Sequence, residues 1–324
     1  MKIKLQVAGF RFQVSRRNLK ARISRAFSLR RAFTLVEVMV VVVLLALIVF
    51  ALMAVFNATQ TAFRASVTQA GVLESGRATM DLMSQDMRAM APSHGIGFSA
   101  ASAVNFYAAV TNYASAPSPL IQPMVGGSSS LTNVLENFFI LSRGNAGGVP
   151  TWYGVGYAVG PTVSPGPLYP LYRFATNHPV AAGDPAALFN NDFGNFLTNL
   201  TSGSHLMDGV VALSVRAYDV NGGQMTNYIT RSGGQFPTYV TNQNVFYFPS
   251  GPPALGRVGF AMFSNTVPAA VEIEMGVLED RSLQRAESIP NSVAQASYLQ
   301  QQSGKVHVFR QRVTIPNVDP SAYQ

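Results

Sequence analysis

The segment "AFTLVEVMVVVVLLALIVF" (residues 32–50) places a single acid, Glu37, at the start of a long apolar run. Residues 38–56 are 19 consecutive residues without a charge, an amide or a hydroxyl group. As a helix they would be about 28 Å long, close to the thickness of the hydrocarbon core of a bilayer. With residues 33–36 included, the segment is long enough to cross a membrane. It therefore predicts a single transmembrane helix whose first partner is the lipid bilayer.

The charge of the chain is concentrated before this helix. Residues 1–32 contain ten Lys or Arg residues and no acid, whereas the rest of the chain contains 13 basic and 15 acidic residues. Positive flanks stay in the cytoplasm, so the orientation predicted is a cytoplasmic N-terminus and an exported body. The body is slightly acidic, and no nucleic acid partner is expected. The absence of cysteine excludes disulfides and thiolate chemistry.

Glu37 separates two interpretations of the apolar run. A plain signal anchor or a cleaved secretory signal needs no acid there, and a carboxylate in the membrane costs about 2–3 kcal/mol or more unless it is paired. The run is also longer than a secretory signal, and the following "NATQTAFRA" offers no clear small-x-small cleavage site. If the chain is cut before Phe33, the new α-amino group supplies a cation. Within one helix or between neighbouring helices, that cation could pair with Glu37.

The segment "AFTLVEVMVVVVLLALIVF" resembles the N-terminus of type IV pilins and of the pseudopilins of type II secretion. The resemblance implies that a membrane aspartyl peptidase cuts between Ala32 and Phe33 and methylates Phe33. It further implies that Glu37 sets the register of subunits in a filament. Two departures are Ala32, where the family usually has Gly, and a long leader of 32 residues. The partners implied are the prepilin peptidase/methyltransferase, other pilin or pseudopilin subunits and an inner-membrane assembly platform.

The helix is predicted to continue beyond the membrane. One stripe of apolar or small residues recurs every three or four positions and ends before Pro92. Its members are Phe63, Val67, Ala70, Leu73, Gly76, Met80, Met83, Met87 and Met90. Gly71 and Gly76 predict a local bend or a melted turn. The Met-rich stripe is expected to pack on the chain's own head domain; a promiscuous binding groove is the alternative.

The remainder predicts a β-rich head with long loops, so the fold class is α+β: a long N-terminal helix packed on an antiparallel head. The predicted strands are residues 103–111, 137–143, 152–160, 168–175, 209–220, 245–248, 257–263, 269–278 and 306–315. The segments 114–132, 176–204 and 221–254 are interpreted as surface loops, and 278–289 as a helix. The domain boundaries predicted are a leader 1–32, a pilin helix 33–91 and a periplasmic or extracellular head 92–324.

The head also suggests a subclass. In chain order, the segments "GRATMDLMSQDMRAM", "YGVGYAV", "LYPLYRF", "DGVVALSVRAYDVNG", "VPAAVEIEMGVL" and "VFRQRVTIP" resemble the J-type minor pseudopilin of type II secretion. That resemblance implies a minor, tip-proximal subunit, and the bulk of the head agrees with it.

No enzymatic motif is found. The four histidines lack metal-ligand spacing, and there is no nucleophile elbow and no P-loop. The best metal candidates are Asp219 and Asn221 in "DVNGGQ", which resemble the first two ligands of a calcium loop. An Asn-Gly pair after a strand is also a hairpin-turn signal, and the turn is the favoured interpretation. No cofactor is expected, and calcium remains an open alternative.

The function predicted is a single-pass inner-membrane prepilin that assembles into a type II secretion pseudopilus or a type IV pilus. One alternative is a minor type IV pilin for adhesion or DNA uptake. An alternative from a different class is a surface enzyme or binding module held by a plain signal anchor.

Overall fold

The computed structural model describes residues 33–95, 102–110, 121–123, 130–160, 170–183, 185–225, 244–250 and 258–323. The chain divides into two units, Met1–Gln60 and Thr61–Gln324. A long N-terminal apolar helix is followed by antiparallel sheets, which confirms the predicted α+β class. Ala32 and the rest of the leader lie outside the described residues.

Helix α1 runs from Leu35 to Arg88 without a break, so the melted turn that was one alternative at its glycines is not found. Its buried residues all lie in the C-terminal part of the helix: Val72, Gly76, Thr79, Met80, Met83, Ser84 and Met87. This part of the predicted stripe is confirmed, and it packs on the head. The earlier part is wrong, because Phe63 and Val67 are 68% and 55% exposed. Val72 is the first residue of α1 that is fully buried.

All nine predicted strands are present, with small differences at their ends. The strands are β1 (Val104–Val110), β2 (Ile121–Pro123), β3 (Ser130–Thr132), β4 (Glu136–Ala146), β5 (Val149–Val159), β6 (Leu171–Pro179), β7 (Ser204–Met207), β8 (Val210–Tyr218), β9 (Val245–Pro249), β10 (Val258–Phe263), β11 (Ala270–Leu278) and β12 (Val306–Thr314). The short strands β2, β3 and β7 were not predicted.

The described strands form three antiparallel sheets. The largest has the order β7-β6-β5-β4-β1-β10-β9, a second has the order β12-β11-β8, and β2 pairs with β3. The two larger sheets meet where Leu135 bridges to Leu213 and where Glu136 accepts a hydrogen bond from the backbone N–H of Val215 at 2.6 Å. Because Glu136 is only 6% exposed, this carboxylate is part of the interior.

The seven-stranded sheet is buried on both faces, which explains the continuous apolar run "FFIL" in β4. Phe138 and Ile140 point into a core shared with α1 and the second sheet. Phe139 and Leu141 point into a second core on the opposite face, which also contains Phe193. Alternation of side chains along a strand therefore fills two separate cores.

The cover of this second core corrects the prediction of a surface loop at 176–204. A π-helical segment (Leu188–Phe193) continues directly into helix α2 (Gly194–Thr198). Leu188, Phe193 and Phe196 are at most 1% exposed, because they pack on the outer face of the sheet. The segment is amphipathic rather than a solvated loop.

Two further helices lie between β11 and β12. Helix α3 (Asp280–Glu287) confirms the helix predicted at 278–289. Helix α4 (Ser292–Gln301) was not predicted, although Asn291 caps it by accepting hydrogen bonds from the N–H groups of Val293 and Ala294. An Asn immediately before a helical segment is a recognised start signal.

Candidate functional site

The start of α1 is organised by Thr34. Its hydroxyl oxygen accepts a hydrogen bond from the backbone N–H of Glu37 at 3.2 Å, and its carbonyl accepts one from Val38 at 3.2 Å. Thr34 is thus the N-cap and Glu37 the third helical residue, the positions of a capping-box pair. A carboxylate in the first turn also interacts favourably with the helix dipole. Sequence reasoning had overlooked this local role, although the spacing T-x-x-E in "TLVE" signals it.

Phe33 and Glu37 are both accessible to a partner. Phe33 is 77% exposed, and Glu37 is also exposed. Glu37 is the only charged residue in residues 33–60. A cation that pairs with it must therefore come from the leader, from a new α-amino group at Phe33 or from another molecule.

The residues after Glu37 form an unusually apolar surface. The most apolar 18-residue window of α1 has a mean hydropathy of 3.4, and none of it is buried within the protein. A core helix of a soluble protein would be covered by its own chain, so this helix needs a different apolar environment. By length and composition it can cross a membrane.

Comparison with known families identifies this segment. Residues 27–53 match the family model described as the prokaryotic N-terminal methylation motif. The chain carries a prepilin-type N-terminus. The motif supports the type IV pilin and pseudopilin family, and it implies a prepilin peptidase and other pilin subunits as partners. It points to a structural subunit rather than an enzyme and fits a membrane-anchored pilin. No curated protein and no solved structure matches the chain.

The head is joined to α1 by an ion-pair cluster that sequence reasoning missed. Asp86 of α1 accepts hydrogen bonds from Arg173 of β6, at 2.8 Å from Nε and 3.0 Å from Nη2. It also accepts a short hydrogen bond from the hydroxyl of Tyr157 in β5. Burial, together with the Asp86 carboxylate, raises the pKa of Tyr157 far above its usual range, so the hydroxyl stays protonated and donates. Asp86 lies off the apolar stripe, and its spacing in the sequence does not predict contacts with Tyr157 or Arg173.

A second contact between α1 and the head depends on the absence of a side chain at Gly76. A Cβ built on Gly76 would lie 2.3 Å from Cζ of Phe309 in β12. The ring therefore occupies the space that any larger residue at position 76 would need. Gly71, one and a half turns earlier, has no atom within 4 Å of its Cβ position.

The calcium candidate forms a turn. Asp219 Oδ1 accepts hydrogen bonds from the N–H groups of Asn221 at 2.9 Å and Gly223 at 2.6 Å, while Gly222 has a positive φ of 80°. The Asp219 side chain is thus engaged by its own backbone, which agrees with the favoured hairpin-turn interpretation. The structure does not bring a third acidic or histidine ligand to Asp219 within the described residues.

The described histidines are dispersed over the head. His178 lies 3.0 Å from Asp192, His205 lies 2.9 Å from Asp208, and His307 lies 3.3 Å from Glu279. Each pair joins different elements or a single turn, and the pairs do not converge on one pocket. Among the described residues, no group of three or more acidic or histidine side chains has the geometry to hold a metal ion.

Proposed function

We propose that this protein is a minor pilin-like subunit, a pseudopilin, that assembles near the tip of a type II secretion pseudopilus or a type IV pilus. The observation that carries the proposal is the methylation motif at residues 27–53, together with a capped apolar helix that its own head leaves uncovered. A subunit that must leave the bilayer and join a bundle of helices needs such a helix. The order of the head segments favours the J-type minor pseudopilin.

Processing begins with cleavage between Ala32 and Phe33 and continues with methylation of the new Phe33 amine. The ten basic residues of the leader hold the N-terminus in the cytoplasm, and the head is periplasmic. The small side chain of Ala32 fits a peptidase that normally accepts Gly. An assembly platform in the inner membrane then extracts the mature subunit.

Glu37 supplies the register of assembly. An isolated carboxylate in a low-dielectric bundle is costly, whereas a carboxylate paired with an ammonium group is stabilised. Since residues 33–60 contain no cation, the α-amino group of Phe33 in the same or a neighbouring subunit is the natural partner. Axial shifts between subunits would break this pair.

Mass spectrometry of the N-terminus of the membrane-purified protein tests the proposal. The expected result is a chain that begins with N-methylated Phe33. An Ala32→Leu variant should accumulate at full length in the membrane, whereas Ala32→Gly should mature at least as well as the wild type. A wild-type chain that keeps its leader would contradict the proposal and favour a plain signal anchor.

A further inference from the structure

A surface groove lies between residues 61–71 of α1 and helix α3. Its volume is about 650 Å³. On the α1 side it is lined by Phe63 and Val67, which are 68% and 55% exposed. Gly71 also lines the groove and leaves it open, because it has no neighbouring atom within 4 Å of its Cβ position. One wall of the groove is therefore apolar and unoccupied by the chain itself.

Two arginines line the same groove. Arg64 comes from α1 and Arg281 from α3, and both are exposed. Within the described residues, neither has an ion-pair partner. The one acid in the lining is Asp280, whose pKa is raised by burial and then by the nearby Asp208 carboxylate. The groove thus combines an apolar wall with an excess of positive charge, a combination that suits an amphipathic anion.

The position of Arg64 in the sequence indicates where such an anion would be found. Arg64 is the first charged residue after Glu37, and 26 uncharged residues separate the two. As continuous helix they span about 39 Å, which exceeds the hydrocarbon core of about 30 Å and approaches the bilayer thickness with headgroups. If Glu37 lies at one surface of the membrane, Arg64 lies at headgroup depth on the other. Phe63 is then an interfacial aromatic residue.

We propose that this groove binds an anionic phospholipid of the surrounding bilayer. The lipid phosphate interacts with Arg64 and Arg281, and the glycerol and upper acyl region contact Phe63 and Val67. Basic residues at a membrane surface attract anionic headgroups, and each contributes about a fivefold preference. The proposal rests on membrane anchoring by α1 and is independent of cleavage or filament assembly.

The test uses the full-length protein in phosphatidylcholine vesicles that contain a photoactivatable phosphatidylglycerol. The expected result is labelling of peptides from both α1 and α3 at the groove. Arg64→Gln and Arg281→Gln should each lower the labelling yield about fivefold. Arg77→Gln is the matched control, since Arg77 is exposed on the same helix and does not line the groove. Fluorescence of Trp152, the single tryptophan and a buried residue of the head, checks that each variant is folded.

Three outcomes would overturn the proposal. The first is equal labelling by a photoactivatable phosphatidylcholine, which would show that the arginines do not select charge. The second is an equal loss of labelling in Arg77→Gln. The third is a protein that does not float with the vesicles, because the proposal requires membrane insertion.

Discussion

Alanine at Gly71 should stabilise the head, whereas alanine at Gly76 should leave its stability unchanged or lower it. Both glycines lie within α1, where replacing Gly by Ala contributes about 1 kcal/mol through helix propensity. At Gly71 nothing opposes this gain, because the position is open to solvent. At Gly76 the new methyl group would lie 2.3 Å from Cζ and 2.4 Å from Cε2 of Phe309, distances at which the ring must move.

The size of the effect follows from these two terms. Forcing an extra methyl group into a packed site costs about 1–3 kcal/mol. After the gain in helix propensity, Gly76→Ala should change the free energy of unfolding by about 0 to −2 kcal/mol, and Gly71→Ala by about +1 kcal/mol. For a domain of this size, 1 kcal/mol corresponds to about 2–4 °C in Tm. We therefore expect Gly71→Ala to melt at least about 2 °C above Gly76→Ala.

Thermal unfolding of the detergent-solubilised protein, followed by Trp152 fluorescence, measures this difference. Trp152 lies in β5 and is 6% exposed, so its emission reports on the head rather than on the apolar end of α1. A Phe309→Ala background provides the second half of a double-mutant cycle, in which Gly76→Ala should become as favourable as Gly71→Ala. If Gly76→Ala is equally stabilising when Phe309 is present, the proposed close packing of helix and ring is wrong.

Three further predictions concern the cluster on α1, the second core and the membrane acid. Asp86→Asn should lower the free energy of unfolding by about 2–3 kcal/mol, because it leaves the partly buried Arg173 without its anion. Asp81→Asn is the control and should change the free energy of unfolding little, because Asp81 is exposed. Equal chemical denaturation midpoints for the two variants would contradict this prediction. Burial raises the pKa of Tyr107 from 10.0 to about 12, so its contribution to stability is complete below pH 10 and is lost as the pH rises toward 12. Tyr107→Phe should therefore lose less Tm than the wild type between pH 10 and pH 12. An equal dependence of Tm on pH in the two proteins would contradict the raised pKa of Tyr107. Glu37→Leu should insert into the membrane as well as the wild type but fail to co-purify with partner pilins, and normal recovery of both would remove the register role.

The N-terminal segment was predictable because its physics is local. A run of 19 apolar residues that follows a basic flank and a single acid is compatible with few structures besides a membrane-spanning helix. The strands were predictable for a similar reason, since the apolar run of β4 reflects burial on both faces. In β11 the sequence alternates apolar and acidic residues, although eight of its nine residues are buried. Even here, the hydrogen bond from the backbone N–H of Glu37 to the capping hydroxyl of Thr34 was not predicted.

The missed features depend on contacts between distant segments. Phe189, Phe193, Phe196 and Leu200 recur every three or four residues, a helical signal that the surrounding Asn and Gly residues masked. The end of the buried stripe at Val72 depends on where the head reaches α1, which periodicity does not encode. The Asp86–Arg173 pair spans 87 positions of the chain, and its formation follows from the pairing of β5 with β6 rather than from any short motif.

The hydrogen bond between the Glu136 carboxylate and the edge strand β8 has a consequence for aggregation. Strands at the margin of a sheet offer backbone groups that can recruit a strand from another molecule and start aggregation. At Val215 that backbone N–H is already bound by the chain's own carboxylate, and at Leu213 by the carbonyl of Val134 at 2.8 Å. A foreign strand would have to displace an interior acid before it could pair there. The backbone N–H groups of β8 at these two positions are therefore not available to a strand of another molecule, which lowers the tendency of the head to aggregate along this edge.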